Sequence, residues 1–209
     1  TKKELSKNTR KIDAVRRCTK GYDCIFIAKE KLKHLVSKEA FNIDGLGKKV
    51  VEQFWDLKLI KEPSDIFKLD YDKIKKLEGW GQLSINNLKE AINKSKSISL
   101  EKFIFSIGIR HIGQENAKIL ADFFVSIRKF LKLFNNKSRK VILLNLADLD
   151  GIGDTQIKSI DNFFLKETNT RITQELINQL NIKDYLTKKI DGKFSNKKLM
   201  FTGGFQNMS

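Results

Sequence analysis

The stretch FNIDGLGKKVVEQFW, residues 41–55, decides how this sequence is read. Gly45 and Gly47 flank a single apolar residue, Leu46, and an amphipathic segment opening on Lys48 and Lys49 follows. Such a stretch can be a plain turn, a cradle for a nucleotide phosphate, or a hairpin that lays its backbone against a nucleic-acid strand. Recurrence separates these readings. The pattern returns as Gly79-Trp80-Gly81 in LEGWGQLSI, as His111-Ile112-Gly113 in IRHIGQENA, and as Gly151-Ile152-Gly153 in LDGIGDTQI. The copies start at positions 45, 79, 111 and 151, so they lie 34, 32 and 40 residues apart. Each has an apolar segment before it and a helix-patterned segment after it. One glycine turn is weak evidence, because helices commonly end on glycine. Four at similar intervals indicate a repeated supersecondary unit. A P-loop is excluded, since no copy has the Gly-x-x-x-x-Gly-Lys-Ser/Thr arrangement.

The repeated unit resembles a helix-hairpin-helix motif: apolar, Gly, apolar, Gly, then a helix. Glycines, Gly47 among them, are expected to hold backbone angles barred to other residues and to leave no side chain between the turn and a phosphate. Leu46, Trp80, Ile112 and Ile152 are expected to plug the core. The free amides at the start of each following helix then form an anion site, with Lys48 and Lys49 adding charge at the first. Contacts of this kind hold backbone and do not read bases, so binding is expected to be independent of sequence. The candidate DNA-binding residues are Gly45, Gly47, Lys48, Lys49, Gly79, Gly81, Arg110, His111, Gly113, Gln114, Gly151 and Gly153. The copies are not equivalent. The motif prefers alanine four positions past its second glycine, and only the third copy has it, as Ala117; Val51, Ile85 and Ile157 stand there in the others. Different helix packing is expected at those three, with some copies serving as scaffold.

Bulk properties agree with a polyanionic partner. Among 209 residues there are 41 Lys and Arg against 25 Asp and Glu, a net charge of +16. Nucleic acid is expected ahead of an anionic membrane. A hydrophobic content of 40% with 15 Phe suffices for packed cores and excludes a disordered tail. No apolar run is long enough for a membrane span, and TKKELSKNTRKID lacks the apolar centre of a signal peptide. The expectation is therefore a soluble, cytoplasmic protein. Helical periodicity runs through AKEKLKHLVS, GKKVVEQFWDLKLI, SINNLKEAINKS, LEKFIFSIG, AKILADFF and ITQELINQL. Ser99 and Thr168 are the expected N-caps of two of these helices. Strand-like alternation is expected only near the end, in KKLMFTGGF.

Cys18 and Cys24, in RCTKGYDC, have the separation of half a tetrahedral metal site. The two histidines, His34 and His111, are weak candidates to complete it, and His34 in EKLKHLV fits helical packing better than ligation.

The order of LKHLVSKEAFNIDGLGKKVVEQ, DIFKLDYDKIKKLEGWGQLSINNLKEAINKSK and LEKFIFSIGIRHIGQENAKILADFF resembles that of bacterial NAD-dependent DNA ligases. In that family a four-cysteine zinc module precedes a domain of four helix-hairpin-helix motifs and then a BRCT domain. The resemblance makes Cys18 and Cys24 the last two zinc ligands, and FSNKKLMFTGGFQNMS the first strand and loop of the BRCT domain. Two departures stand out. The first cysteine pair would fall roughly fifteen residues before Cys18, near Lys3 and ahead of residue 1, so the zinc site is incomplete. The BRCT portion stops after about its first strand. Both lead to the expectation of a piece of a longer ligase.

The resulting expectation is an all-α array of four helix-hairpin-helix motifs with a small cysteine-containing N-terminal segment and a truncated C-terminal strand. The expected divisions are 1–33 for the zinc-module remnant, 34–182 for the DNA-binding domain, and 183–209 for the linker and start of BRCT. By resemblance, the full enzyme takes AMP from NAD onto its own lysine and seals nicked duplex DNA with magnesium, in replication and repair. Its adenylation and OB-fold domains are not in this chain, which by itself is expected to be inactive. KIDG, Lys189 to Gly192, matches the Lys-x-Asp-Gly signature of nucleotidyltransferases, but only 17 residues follow it, too few for a nucleotide-binding domain. It is read as chance. The competing readings are a stand-alone or nuclease-associated helix-hairpin-helix protein that binds DNA junctions, and a protein-interaction scaffold.

Overall fold

The computed structural model describes residues 21–186. Cys18, the KIDG tetrapeptide and KKLMFTGGF lie outside them. Among the described residues the chain is mostly helical, as its periodicity requires. In order the helices are α1 (Ile25–Val36), α2 (Lys48–Asp56), α3 (Tyr71–Ile74), α4 (Gln82–Ser95), α5 (Leu100–Ser106), α6 (Gln114–Phe124), α7 (Ile127–Phe130), α8 (Asn136–Leu146), α9 (Asp154–Phe164) and α10 (Glu167–Ile177). A 3-10 turn at Pro63–Lys68 connects α2 to α3. Proline is favoured at such a start because its missing N–H would be unpaired there anyway. Asp65 Oδ2 accepts from the Lys61 and Glu62 amides at 2.8 and 2.9 Å, which fixes the entry to this turn.

Two expectations about element ends are corrected. Thr168 is not an N-cap: α10 begins one residue earlier, at Glu167, with Lys166 in the capping position. Glu167 there puts a carboxylate against the positive end of the helix dipole. Ser99 does stand at the N-cap of α5, but it makes no side-chain cap bond; its hydroxyl donates to Glu101 Oε1 at 2.6 Å.

Strands were expected only near the C-terminus, yet the described residues contain a short parallel pair, β1 (Ser97–Ser99) and β2 (Asn181–Lys183). Ile98 faces Ile182 in its register. The Asn181 amide donates to Lys96 O at 2.8 Å, and the Tyr185 amide to Val125 O at 2.7 Å. The chain leaving α10 is thus stitched back beside the middle of the fold. Three-residue strands carry too little pattern to be read from sequence; tertiary proximity creates them.

The core is one continuous apolar cluster from Leu32 to Leu176. Its centre is aromatic: Phe130 meets Phe103, Phe124 and Phe164 edge-on, with ring centroids 6.1, 5.3 and 5.7 Å apart. Burying each ring is worth roughly 1.5–3 kcal/mol, which explains how many short helices hold together. Arg139, 2% exposed, is the polar exception. Its guanidinium donates to Asp161 Oδ1 (2.9 Å), Leu133 O (2.9 Å), Phe164 O (3.4 Å) and Asn136 Oδ1 (3.1 Å). It ties α8 to the ends of two neighbouring elements.

Candidate nucleic-acid interface

The four glycine turns have one geometry. In each, the apolar residue between the glycine positions donates its N–H to a carbonyl three residues back. The pairs are Leu46 to Ile43 (3.2 Å), Trp80 to Leu77 (3.2 Å), Ile112 to Ile109 (3.1 Å) and Ile152 to Leu149 (3.1 Å). The third residue of every turn is left-handed, with φ of +81° at Gly45, +81° at Gly79, +62° at His111 and +90° at Gly151. A turn of this class requires φ > 0 there, which explains three of the glycines. His111 belongs to the small set of side chains that tolerate the conformation.

The second glycines behave differently, and one expectation is corrected. Gly47 does not hold a positive φ; it lies at −71° with ψ 173°, extended backbone open to any residue. Gly81, Gly113 and Gly153 are likewise extended N-caps of α4, α6 and α9. A Cβ added at Gly47, Gly81 or Gly113 would meet nothing within 4 Å. Neither torsion nor internal packing demands glycine at these three exposed positions. Glycine is an acceptable N-cap, but it also keeps the amides at the head of each helix uncovered, where an anion can reach them.

The turns differ in what surrounds the amides. Lys48 and Lys49 stand exposed in the first turn of α2. The second turn has no charge in the first turn of α4, where Leu83 is 73% exposed. At the third, Arg110 is half-buried, while His111 and Gln114 are exposed. At the fourth, Gln156 Oε1 accepts from the Gly153 amide at 3.2 Å, and Asp150 and Asp154 stand exposed beside it. That amide is already engaged by its own helix. Asp44, Glu78 and Asp150 occupy the second residue of the first, second and fourth turns, where the third has Arg110. This distinction was legible in the sequence once the turn register was known.

Leu46, Ile112 and Ile152 plug the core as expected, at 1%, 5% and 3% exposure. Trp80 is only half-buried, with its ring 5.3 Å from that of Phe54. Val51 and Ile85 are buried as fully as Ala117, whereas Ile157 is half-buried. The turns also pair. A Cβ at Gly45 would touch Leu88 of α4 at 3.8 Å, so the first turn leans on the helix after the second. Asn116 of α6 donates to Gly151 O at 2.8 Å, so the helix after the third turn holds the fourth. Nothing in the sequence signals this pairing.

Cys24 is the N-cap of α1. Among the described residues no group of three or more His, Cys, Asp or Glu is placed to hold a metal; Cys18, the expected partner of Cys24, lies outside them. His34 is engaged in packing: its Nε2 donates to Phe105 O at 2.9 Å and its ring meets Phe105 edge-on. No helix among the described residues is long and apolar enough to cross a membrane.

Residues 102–173, which contain the third and fourth turns, match the model of the helix-hairpin-helix motif. The whole chain is 50% identical over 210 residues to a DNA ligase of Pelagibacter ubique, covering 30% of that protein. The chain is homologous throughout to one segment of DNA ligases. A Wolbachia pipientis DNA ligase is 40% identical over 197 residues, 92% of this chain. A Rickettsia typhi DNA ligase is 38% identical over 205 residues, 94% of this chain. In each case the chain spans 30% of the relative's length.

Proposed function

We propose that this chain is the DNA-gripping portion of a bacterial NAD-dependent DNA ligase, with its four glycine turns acting as an array of four helix-hairpin-helix motifs. The observation that carries the reading is the state of Gly47, Gly81 and Gly113: ordinary torsion, open space where a side chain would stand, and helix amides left uncovered. The net charge of +16 and the ligase relatives support it. The first and third turns supply the strongest phosphate contacts, through Lys48 and Lys49 and through Arg110, His111 and Gln114. The fourth, with an engaged amide and two exposed acids, serves more as scaffold. Adenylation with NAD, transfer of AMP to the 5′-phosphate and magnesium-assisted sealing belong to parts of the enzyme outside this chain. The role left to it is to hold duplex DNA around the nick.

Backbone clamping makes a specific demand on salt dependence. Each neutralised phosphate changes log K by about −0.9 per unit of log salt. Duplex affinity is expected to be nearly indifferent to sequence and to fall steeply with salt, and Lys48→Ala with Lys49→Ala to flatten the slope by up to about two units. Titrations of labelled duplexes across a salt series test this. No duplex binding, or binding indifferent to salt, defeats the reading.

A further inference from the structure

Lys29, Lys31 and Lys33 share α1 but not their surroundings. Lys29 pairs with Asp56 at 2.8 Å, and Lys33 with both Glu30 and Glu52 at 2.7 Å. Lys31 stands in no ion pair among the described residues. Its ammonium lies among rings, 4.5 Å from the Tyr22 centroid and 5.3 Å from that of Phe163. Tyr22 belongs to the 3-10 turn Gly21–Asp23 and Phe163 to α9, so three elements enclose the amine. One side stays open. Lys31 lines a groove of about 440 Å³, with Phe26 and Ile27 of α1 on one wall and Ile109 and Ile112 on the other. The carboxylate and imidazole that also line it are engaged, Glu30 by Lys33 and His34 by the Phe105 carbonyl at 2.9 Å.

An amine enclosed without a counter-ion, yet reachable through an apolar groove, is poised to react. Burial lowers the Lys31 pKa to about 8, and the positive charge of Lys166 adds to the effect. Tyr22 supplies no compensating negative charge, since its own burial raises the hydroxyl pKa and keeps it neutral. A lysine in water is almost wholly ammonium at pH 7, whereas a group with a pKa of about 8 is uncharged in roughly one molecule in ten. A desolvated lysine of this kind is a nucleophile. A neutral product also suits an apolar groove better than a charged one.

We propose that Lys31 Nζ is an acylation site, taking a short acyl group from an acyl thioester or acyl phosphate and laying its apolar end in the groove. The uncharged amine attacks the acyl carbonyl carbon. A C–N amide bond forms as the bond from that carbon to sulfur or to the phosphate oxygen breaks. The thiolate or phosphate departs, and the proton lost by the nitrogen passes to it or to water. The resulting amide is neutral, so the modification removes a charge that burial opposes.

The test is labelling of the folded chain with acetyl phosphate and, separately, with the uncharged thioester S-acetyl-N-acetylcysteamine, read lysine by lysine in peptide mass spectra. At pH 7, Lys31 is expected to label about tenfold faster than the exposed Lys48 and Lys140. Its rate is expected to level off above about pH 8, while theirs climb toward pH 10. Faster labelling by either donor supports the site and says which class the groove admits. In urea the preference is expected to vanish, because an unfolded chain gives every lysine the same solvent. Lys31 labelling no faster than Lys48 and Lys140 with both donors overturns the proposal. So does a preference that survives in urea, which would place its cause in the local sequence and not in the groove.

Discussion

Valine placed at Gly45 and at Gly47 separates two reasons for a glycine that sit two residues apart. At Gly45 the backbone is left-handed, φ +81°, and a Cβ has room, with Leu88 Cδ1 at 3.8 Å. Gly45→Val therefore costs torsional strain without a collision, about 1–3 kcal/mol for a β-branched side chain. In a chain of this size that lowers Tm by roughly 2–12 °C. At Gly47 the torsion is extended and the Cβ site is empty, so Gly47→Val loses only the N-cap advantage of glycine over valine, about 1 kcal/mol or less, and is expected to lower Tm by no more than about 2–4 °C. It nevertheless places an isopropyl group at the head of α2, above amides that would face a phosphate. A hydrogen bond to a charged group is worth about 1.5–3 kcal/mol, so blocking one weakens duplex binding about 10- to 100-fold. Thermal melts paired with fluorescence-anisotropy titrations measure both quantities on the same samples. If folded Gly47→Val binds duplex as tightly as the parent, phosphate access is not why glycine stands there. If Gly45→Val loses binding but no stability, the roles assigned to the two glycines are reversed.

Arg139→Ala strands the carbonyls of Leu133 and Phe164 in the core, and a loss of about 2–4 kcal/mol is expected in urea unfolding; a loss below about 0.5 kcal/mol means the guanidinium merely fills space. Burial, with Lys166 adding to it, depresses the Lys31 pKa from 10.5 to about 8. Between those values the unfolded chain binds the proton and the folded chain does not, so stability contributed at this site rises with pH through that window. Lys31→Met is accordingly expected to be more stable than the parent by about 1–3 kcal/mol at pH 7, with the gap closing toward pH 10.5; a gap independent of pH refutes the burial argument. Incubated with NAD, magnesium and nicked duplex, the chain is expected to yield neither sealed strand nor AMP-labelled protein, and labelling at Lys189 would show that KIDG is no accident.

The sequence determined the parts of this protein that are local. Helical periodicity requires no distant partner, so the helices around Val51, Leu88 and Leu120 were legible. The four turns were legible because a left-handed residue two positions after an apolar one demands glycine, or a tolerant side chain such as His111. The +16 charge pointed to a polyanion by simple counting. Tertiary structure decided the rest. Gly45 and Gly47 look alike as letters, and only the fold shows that one answers to torsion and the other to open space. The pairing of β1 with β2 and the hold of Asn116 on Gly151 join residues 84 and 35 positions apart. Such contacts leave no periodic trace, because they depend on where a continuous aromatic core seats each short helix. The groove between Phe26 and Ile112 has the same origin: its two walls lie far apart in sequence, and they meet only because α1 packs against α5 through His34 and Phe105.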